Sequence, residues 1–255
     1  MHTENDIKQN IAKLKSASTL QKKSIDWINL SAEYRYSYNF SWLGRRAIQL
    51  PNDTWAMQEL IWSIKPDLII ETGIAHGGSL IFSASMLALL DYSDAVKNNK
   101  LLDPNDSNRK VLGIDIDIRS HNREAIHAHP FSHKIEMIEG SSVSNSVIEK
   151  VYQRADKFET ILVCLDSNHT HEHVLAEIEA YSKLVTLNSY LVVFDTIVEH
   201  MPESAFPNRP WGIGDNPKTA VDKFLENNSD FVIDQDIDAK LQISVAPGGF
   251  LRKVR

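Results

Sequence analysis

The sequence predicts an α/β protein, in which a mostly parallel sheet carries helices on both faces. From Asp67 onward, short runs rich in Ile, Val and Leu alternate with segments whose apolar residues recur every three or four positions. This alternation is typical of parallel strands joined by crossover helices. The runs are almost continuously apolar, as expected for strands that are buried on both faces. With 255 residues, 42% of them hydrophobic, the chain can bury one large core.

The predicted elements follow one another in regular order. Apolar runs predict parallel strands over residues 67–72, 111–116, 134–138, 160–165 and 189–194. Amphipathic spacing predicts crossover helices over residues 79–90, 144–154 and 171–184. We interpret the polar segment 91–110 as an exposed insertion, and the Pro-containing segment 199–216 as a loop before a short helix at 217–227. Residues 1–52 form a helical, aromatic extension that caps the site or makes an oligomer contact, and residues 53–255 form one Rossmann-like domain.

Charge and hydropathy exclude several classes of partner. Thirty-four acidic residues against 27 basic ones give a net charge of -7, so the attraction that nucleic acid or anionic lipid requires is missing. The N-terminus lacks the apolar core of a secretory signal, and no uncharged stretch approaches the ~20 residues of a membrane span. We therefore expect a cytoplasmic protein without a membrane span. The one cysteine, Cys164, lies in an apolar run and is expected to pack in the core.

A Gly-rich turn follows the first predicted parallel strand and precedes a helix. Gly73 and Gly77 allow the backbone to turn sharply and to approach a ligand closely, and Ser79 lies at the start of the helix, whose first amides are free donors. The spacing differs from the G-x-G-x-x-G of dinucleotide-binding folds. Glu71, at the end of the strand, suits the cationic amino group of S-adenosylmethionine and would be a poor neighbour for a pyrophosphate. We therefore predict that these four residues bind this methyl donor; the alternative is a tight turn without a ligand.

The next two strand ends supply the other predicted contacts with the donor. Asp115 ends the second strand, where a carboxylate can accept hydrogen bonds from both ribose hydroxyls. Asp117 is its nearest rival for that role, and a helix cap is the alternative interpretation. After the third strand, Ser141 and Ser142 are placed to contact the adenine ring, although Ser is also a common helix N-cap.

The end of the chain favours a methyl donor over a dinucleotide. Apolar segments at 231–234 and 241–246 predict two strands that form an antiparallel hairpin. Added to five parallel strands, this hairpin makes the seven-stranded sheet of Rossmann-like methyltransferases. Dinucleotide dehydrogenases usually continue with another parallel strand.

Acidic residues end the fourth and fifth predicted strands. Asp166 and His169 follow the fourth strand and Asp195 follows the fifth, and in an open α/β sheet the carboxyl ends of such strands meet at the ligand site. We predict that Asp166 and Asp195 bind Mg²⁺, that Asp166 also contacts the donor, and that His169 removes the acceptor's proton. Strand-end caps are the alternative for both Asp residues. Zinc is not favoured, because His169 and His173 share a helix face without further ligands.

Several separate motifs carry a resemblance to a known family. They are Ser41-Trp42-Leu43-Gly44, Leu50-Pro51-Asn52-Asp53, Pro66-Asp67 with the Gly-rich turn, Leu165-Asp166-Ser167-Asn168-His169 and Pro247-Gly248-Gly249-Phe250. With them the chain resembles the cephalosporin hydroxylase family of Rossmann-fold methyltransferases, and it is similar to the metal-dependent sugar O-methyltransferases of macrolide biosynthesis. The resemblance implies that Asp166 and Asp195 hold Mg²⁺ and that His169 is the base. Phe194 stands where those enzymes have a Glu, so one ligand is missing. This leaves three alternatives: a weakly bound metal, another carboxylate such as Glu199 as ligand, or no metal.

The residues and the resemblance together predict an S-adenosylmethionine-dependent O-methyltransferase. The resemblance implies a homo-oligomer whose acceptor is a hydroxyl, or a phosphate-linked oxygen, on a sugar-containing small molecule of surface-polysaccharide or natural-product biosynthesis. The missing Glu leaves open a non-catalytic subunit that binds the cofactor or a partner enzyme. An oxidoreductase on a similar fold is the other alternative, but neither a pyrophosphate-binding glycine motif nor an iron-binding set of two His and a carboxylate is evident.

Overall fold

The computed structural model describes residues 3–255, so the first two residues of the predicted extension lie outside the described part. The strands are β1 (Phe40–Trp42), β2 (Arg45–Ala47), β3 (Leu68–Thr72), β4 (Lys110–Asp115), β5 (Ile135–Glu139), β6 (Ile161–Leu165), β7 (Tyr190–Val193), β8 (Phe231–Ile233) and β9 (Phe250–Lys253). The helices are α1 (Glu4–Lys15), α2 (Ser18–Glu33), α3 (Pro51–Ile64), α4 (Gly78–Lys97), α5 (Ser120–His127), α6 (Asn145–Ala155), α7 (His171–Tyr181), α8 (Pro217–Glu226) and α9 (Gln235–Leu241).

A seven-stranded sheet lies at the centre of the protein, in the order β5-β4-β3-β6-β7-β9-β8. Strands β3 to β7 run parallel to one another, and their ends differ from the five predicted strands by no more than one residue. The chain leaves β3 toward β4 on one side and later returns to β6 on its other side. The carboxyl ends of β3 and β6 therefore form the switch point, where ligands bind in open α/β sheets.

Helices cover both faces of this sheet, which confirms the predicted fold class. On one face Ile69 and Leu162 pack with residues of α3 and α4. On the other face Ile70 and Val163, their neighbours in sequence, pack with residues of α6, α7 and α8. Because successive side chains of a strand point to opposite faces, the continuous apolar runs serve both layers of the core. Cys164 is buried in the first layer, as predicted.

The antiparallel pair at the end of the chain is confirmed, but one of its predicted strands is wrong. Strand β9 pairs antiparallel with β7 and β8, whereas residues 241–246 form no strand. The side chain of Asp234 accepts hydrogen bonds from the amides of Asp236 and Ile237 and so caps α9. After this helix, the amide of Val245 donates to Oδ2 of Asp53, at 3.0 Å. The apolar residues of this segment therefore pack a loop against α3.

The predicted insertion at 91–110 is wrong in its first part, because α4 continues to Lys97. Asp91 and Asp94 on this last part of the helix both pair with Arg109, at 2.6 and 2.8 Å. Asp91 also pairs with Lys134, whose side chain is buried. These polar residues hold α4 against β4 and the start of β5, and only the loop from 98 to 109 lies between helix and strand.

Among residues 3–255, one helix meets the length and hydropathy that a membrane span requires. It is α4, with a mean hydropathy of 1.2 in its most apolar window, half of which is buried. Helices in the cores of globular proteins meet the same criterion, and α4 contributes ten buried residues to the packing against the sheet.

The N-terminal part of the chain consists of α1, α2 and the hairpin of β1 and β2. Helix α1 packs against α9, and the hairpin lies on the first turn of α4. A Cβ atom on Gly78 would lie 2.3 Å from the carbonyl oxygen of Arg46, so only glycine permits this contact. The hairpin therefore lies directly beside the Gly-rich turn.

Candidate active site

The register of β6 and β7 places Asp166 and Asp195 side by side. Leu165 pairs with Val193 at the end of the two strands, and the amide of Phe194 donates to the carbonyl of Leu165 at 3.0 Å. Asp166 and Asp195 follow these residues directly. Asp195 adopts a left-handed conformation, with φ 55°, which Asp tolerates better than most residues. Both carboxylates lie at the predicted edge of the sheet.

His169 joins the two aspartates, so the three predicted catalytic residues come together. Its Nδ1 lies 3.0 Å from Oδ2 of Asp195, and one donor atom from each of the three side chains lies within 4.8 Å of the others. The imidazole also stacks on the indole of Trp211, with ring centroids 4.8 Å apart and planes 19° from parallel. Trp211 belongs to the loop that precedes α8. The imidazole of His169 therefore has a defined orientation.

The contact with Asp195 determines what the imidazole of His169 can do. Burial lowers the pKa of His169, but the charge of Asp195 and its hydrogen bond more than compensate, so the pKa of His169 is raised above its usual value. With Nδ1–H donating to the carboxylate, Nε2 is the nitrogen left to accept a proton. This pairing of a base with an orienting carboxylate is the arrangement of many general bases.

Asp166 lies among other carboxyl groups. Burial, together with the nearby charges of Asp195, Glu71 and Glu177, raises the pKa of Asp166 well above its usual value. Several acidic groups in a poorly solvated place repel one another strongly. A cationic ligand at this point would relieve that repulsion. The site therefore has the electrostatic character expected for a metal ion or a sulfonium group.

Glu71 is buried at the end of β3 and lies beside the Gly-rich turn. Its carboxyl accepts a hydrogen bond from the hydroxyl of Ser79, on the first turn of α4. Burial raises the pKa of Glu71 to about 7, although the Ser79 hydrogen bond opposes this. A ligand ammonium beside Glu71 would favour its charged form.

The two predicted glycines are required by the geometry of the turn. Gly73 has φ +89°, and a Cβ atom there would lie 2.0 Å from the carbonyl oxygen of Asp166. Gly77, with φ +81°, is the N-cap of α4, and a Cβ atom there would lie 2.5 Å from the side chain of Ile126. The turn thus lies against the loop after β6 on one side and against α5 on the other.

Asp115 holds this turn by hydrogen bonds to its backbone. Its Oδ2 accepts from the amides of Ile74 and Ala75, at 2.8 and 3.2 Å, and its Oδ1 accepts from the amide of Asp117 at 3.1 Å. The carboxylate of Asp115, which the sequence predicts to bind the ribose, therefore already accepts hydrogen bonds from three amides. Its contact with a ribose remains a prediction.

The predicted adenine contacts lie at the end of β5. The carbonyl of Ser141 accepts a hydrogen bond from the hydroxyl of Ser144, at 2.8 Å. Ser142 is 5% exposed, and its hydroxyl lies 3.1 Å from Nε2 of His173. Ser142 is thus turned toward α7, and Ser141 is the more accessible of the two.

Sequence reasoning missed several residues that shape the site. Arg45 donates to the carbonyl of His76 and to Oδ1 of Asn122, both at 3.0 Å, and Nδ2 of Asn122 donates to the carbonyl of Ala75 at 2.8 Å. These contacts fix the Gly-rich turn from outside. Trp211 and Glu177 were also missed. In the sequence, Trp211 stands out as an aromatic residue in a polar loop, and Glu177 as an acidic residue on an apolar helix stripe. Either feature could have indicated a residue of the site.

The carboxylate proposed to replace the missing Glu is engaged elsewhere. Oε2 of Glu199 accepts from the amide of Gly214 at 2.9 Å and from Nδ2 of Asn216 at 2.5 Å, and Phe194 is buried in the core. Asp166 and Asp195 therefore remain as the two carboxylates grouped with His169 as candidate metal ligands. This number still fits Mg²⁺, which is commonly held by one or two carboxylates with water and substrate oxygens as further ligands.

Two cavities of very different size adjoin the β1–β2 hairpin. A cavity of about 40 Å³ is bounded by residues 46–49, the Gly-rich turn, Ser79 and Asp166. A nucleoside is much larger than this cavity, which adjoins Ser79 and the Gly-rich turn rather than Asp115 or Ser141. An apolar groove of about 1010 Å³ lies on the other side of the hairpin, between α3 and α4. It contains none of the acidic residues described above.

Comparison with known proteins assigns the chain to a family. The family described as Rhamnosyl O-methyltransferase/CmcI matches residues 34–254. A rhamnosyl O-methyltransferase of Mycobacterium tuberculosis is 25% identical over 213 residues, which cover 83% of this chain and 77% of that protein. One of Mycobacterium leprae is 26% identical over 213 residues, covering 83% and 82%.

Solved structures agree on the fold. A structure of CmcI with Mg and SAM has a TM-score of 0.55 at 16% identity, and the match covers 86% of this chain and 78% of that one. This similarity shows the Rossmann-like methyltransferase fold, as the C-terminal antiparallel strand pair predicted. The motifs that resembled the cephalosporin hydroxylases all lie within the matched residues. The chain therefore belongs to the Rhamnosyl O-methyltransferase/CmcI family.

Proposed function

We propose that this protein transfers the methyl group of S-adenosylmethionine to a hydroxyl of a sugar-containing small molecule. The observation that carries the proposal is the pair of His169 and Asp195 beside Asp166, at the sheet edge where the Gly-rich turn lies. The names of the mycobacterial relatives support a rhamnosyl group as the first acceptor to test. Surface-polysaccharide or natural-product biosynthesis is the pathway we infer from the same relationship.

The donor would lie across the carboxyl ends of β3, β4 and β5. Glu71 would bind its amino group, and Gly73 and Gly77 would let the backbone approach it, with Ser79 holding Glu71 in place. Asp115 or the neighbouring Asp117 would bind the ribose, and Ser141 the adenine. The sulfonium would then lie toward Asp166, where the negative potential favours a cation.

The chemical step is a direct displacement at the methyl carbon. Nε2 of His169 takes the proton of the acceptor hydroxyl, and the oxygen forms a bond to the methyl carbon while the carbon–sulfur bond breaks. The electron pair of that bond remains on sulfur, giving S-adenosylhomocysteine and a methyl ether. The cationic sulfonium has become a neutral thioether, so the attraction of Asp166 for the donor weakens after transfer.

Asp166 and Asp195 would hold Mg²⁺ in the active protein. The solved CmcI structure with Mg and SAM supports this proposal, as does the placement of the two carboxylates. When bound, the ion would lower the pKa of the acceptor hydroxyl. His169 would then remove the proton with Asp195 orienting its ring.

The role of the N-terminal extension, the oligomeric state and the cellular location can also be tested. We infer that residues 1–52 close the site or make an oligomer contact. Closure is supported by the β1–β2 hairpin, which bounds the cavity at the Gly-rich turn. A cytoplasmic homo-oligomer remains our prediction. Light scattering coupled to size-exclusion chromatography would measure the oligomeric state, and cell fractionation the location.

The proposed function is tested by transfer of a labelled methyl group from S-adenosylmethionine to methyl α-L-rhamnopyranoside and related glycosides. Wild type should transfer label in the presence of Mg²⁺ and lose activity in EDTA. Asp166→Asn should lose turnover while remaining folded, whereas Asp156→Asn, at the exposed end of α6, should behave as wild type. Loss of stability rather than turnover in Asp166→Asn would instead indicate a structural role.

A second function, a non-catalytic subunit that binds the cofactor, is favoured by one observation. Phe194 occupies the position that the resemblance gives to a Glu ligand. This alternative predicts binding of S-adenosylmethionine without turnover on any glycoside tested. Restoring the acid with Phe194→Glu would then be the informative variant, although a buried carboxylate there would cost stability.

A further inference from the structure

Three residues on one face of α7 form a largely buried polar stripe behind the proposed active site. They are His173, Glu177 and Tyr181, spaced four residues apart, and we call them the α7 polar stripe. Residues at this spacing lie above one another on a helix. Their neighbours Val174 and Ile178 are buried in the core, so the stripe interrupts an otherwise apolar face.

The α7 polar stripe contacts two loops that come from different strands. Nε2 of His173 lies 3.1 Å from Oγ of Ser142, after β5, and 3.3 Å from Oγ of Ser167, after β6. The hydroxyl of Ser167 donates to Oε1 of Glu177 at 2.6 Å. The hydroxyl of Tyr181 donates to the carbonyl of Ser142. One helix thus binds the turn assigned to the adenine and the loop that carries Asp166 and His169.

The hydrogen atoms can be assigned from these contacts. Because Ser167 donates its only hydroxyl proton to Glu177, it can only accept from His173. Nε2 of His173 therefore carries a proton, which it shares between the hydroxyl oxygens of Ser142 and Ser167. A single N–H group is then the direct link between the two loops.

The energetic cost of the stripe argues for a functional role. Glu177 is completely buried, and its Oε2 has no hydrogen-bond partner among residues 3–255. Burying a carboxyl group with an unpartnered oxygen costs free energy that an apolar residue at this position would not incur. His173 alone, with 22% of its side chain exposed, would not need such a partner. The α7 polar stripe is better explained by the two loops that it contacts, after β5 and after β6.

We propose that His173 and Glu177 are positioning residues that couple the turn after β5 to the loop after β6. Binding of the donor's nucleoside against Ser141 and Ser142 would be transmitted through the His173 N–H to Ser167. Ser167 is adjacent to Asp166 in the chain, so this link orders the acceptor side once the donor is bound. The inference rests on the proposed function, because it takes the nucleoside to lie at the end of β5.

Hydrogen exchange with and without S-adenosylhomocysteine tests the coupling without an acceptor. In wild type, the ligand should slow amide exchange both in residues 139–144 and in residues 167–170. In His173→Ala, the first segment should still be protected and the second should not, with affinity about tenfold weaker, as for a lost hydrogen bond to a charged network. His173→Gln, which keeps an N–H donor, should restore most of the protection of the second segment.

A matched control is available two residues away on the same helix. Nδ1 of His171 lies 2.8 Å from the hydroxyl of Thr219 on α8, so His171→Ala removes a histidine contact of similar length that does not touch either loop. It should leave both protected segments unchanged. In calorimetric titrations, the effects of Ser142→Ala and Ser167→Ala on affinity should be non-additive in wild type and additive in His173→Ala.

The results of these experiments distinguish failure of the coupling through His173 from failure of the proposed function. If wild type binds the ligand and folded His173→Ala still shows protection of both segments with affinity unchanged, the coupling is wrong. If His173→Ala does not fold, the same comparison is made with Ser167→Ala, which removes the hydroxyl that accepts from Nε2 of His173 and should also lose protection of residues 167–170. If wild type binds no ligand at all, the proposed function itself fails, and the coupling with it.

Discussion

Nδ1 of His169 lies 3.0 Å from Oδ2 of Asp195. The face of the same imidazole stacks on the indole of Trp211. Three separate segments, after β6, after β7 and before α8, therefore determine the orientation of one imidazole. A general base must be oriented before its pKa matters. Asp195 and Trp211 fix the ring of His169 before it can act as a base.

Asp195→Asn should change both the rate and the pH profile of methyl transfer. Because the charge of Asp195 raises the pKa of His169, its loss should lower that pKa. The base would then stay unprotonated to lower pH, so the acidic limb of the pH profile should move to lower pH. The turnover number should fall by about a hundredfold or more, since the ring loses its orientation.

The measurement is kcat as a function of pH for both proteins under saturating donor. A lower rate with an acidic limb at unchanged pH would contradict the assignment of His169 as the titrating base. A limb that moves to higher pH would have the wrong sign for the loss of a neighbouring negative charge.

In wild type, binding of S-adenosylhomocysteine should release a proton from Glu71. Glu71→Gln should reduce this proton release. Burial raises the pKa of Glu71 to about 7, so at pH 6 much of the unliganded protein holds this proton. An ammonium bound beside Glu71 would lower its pKa, and the proton would leave. Affinity for S-adenosylhomocysteine should therefore rise with pH up to about 7.

Calorimetric titration at pH 6 in buffers of different ionisation enthalpy measures this proton release. Wild type should release a fraction of one proton, and Glu71→Gln should release less and bind more weakly. Equal proton release by the two proteins would show that the ammonium does not lie beside Glu71.

Gly73→Ala should be far more damaging than its backbone conformation alone predicts. Gly44 has a similar φ, +86°, but a Cβ atom there would meet nothing within 4 Å. Gly44→Ala should cost about 1 kcal/mol of unfolding free energy through backbone strain. Gly73→Ala should cost several times more and abolish donor binding, because the added methyl would collide with the carbonyl of Asp166.

Urea denaturation of both variants gives the comparison directly. Equal losses of stability would mean that the Gly-rich turn and the loop after β6 are not in close contact. That result would also weaken the argument that the turn brings a ligand near Asp166.

Trp211→Ala should reduce turnover with little effect on the affinity for S-adenosylhomocysteine. The indole stacks on His169, and Arg209 in turn lies over the indole, 5.1 Å from its centroid. Without the indole the imidazole is less restrained, so we expect kcat to fall by about tenfold. Trp211→Phe should retain most of the activity, since a ring remains to stack.

Steady-state kinetics with the identified acceptor would check this prediction. Trp55→Ala is the matched control, because Trp55 is exposed on α3 and does not contact the site. If Trp211→Ala and Trp55→Ala had the same kcat, stacking on His169 would have no role in catalysis.

The parallel strands and the site at their ends could be predicted from the sequence because both depend on local patterns. A strand buried on both faces has a continuous apolar run, and the residue that follows it necessarily lies at the sheet edge. Asp166 and Asp195 were found in this way, and the register of β6 and β7 then brings them together.

Features that depend on distant contacts could not be predicted in this way. Residues 241–246 are apolar because they pack a loop that Asp53 holds through Val245, and no local pattern distinguishes this from a strand. Asp91 lies in a polar segment but pairs with Lys134, 43 positions along the chain. The bonds from Asp115 to the Gly-rich turn likewise require the pairing of β3 with β4.

The most direct test of the proposed donor site is a calorimetric titration of the purified protein with S-adenosylmethionine, first with Mg²⁺ and then with EDTA. We predict a dissociation constant in the micromolar range for wild type and much weaker binding for Asp166→Asn. Absence of binding by wild type under both conditions would contradict the assignment of the Gly-rich turn, Glu71 and Asp166 to a methyl donor.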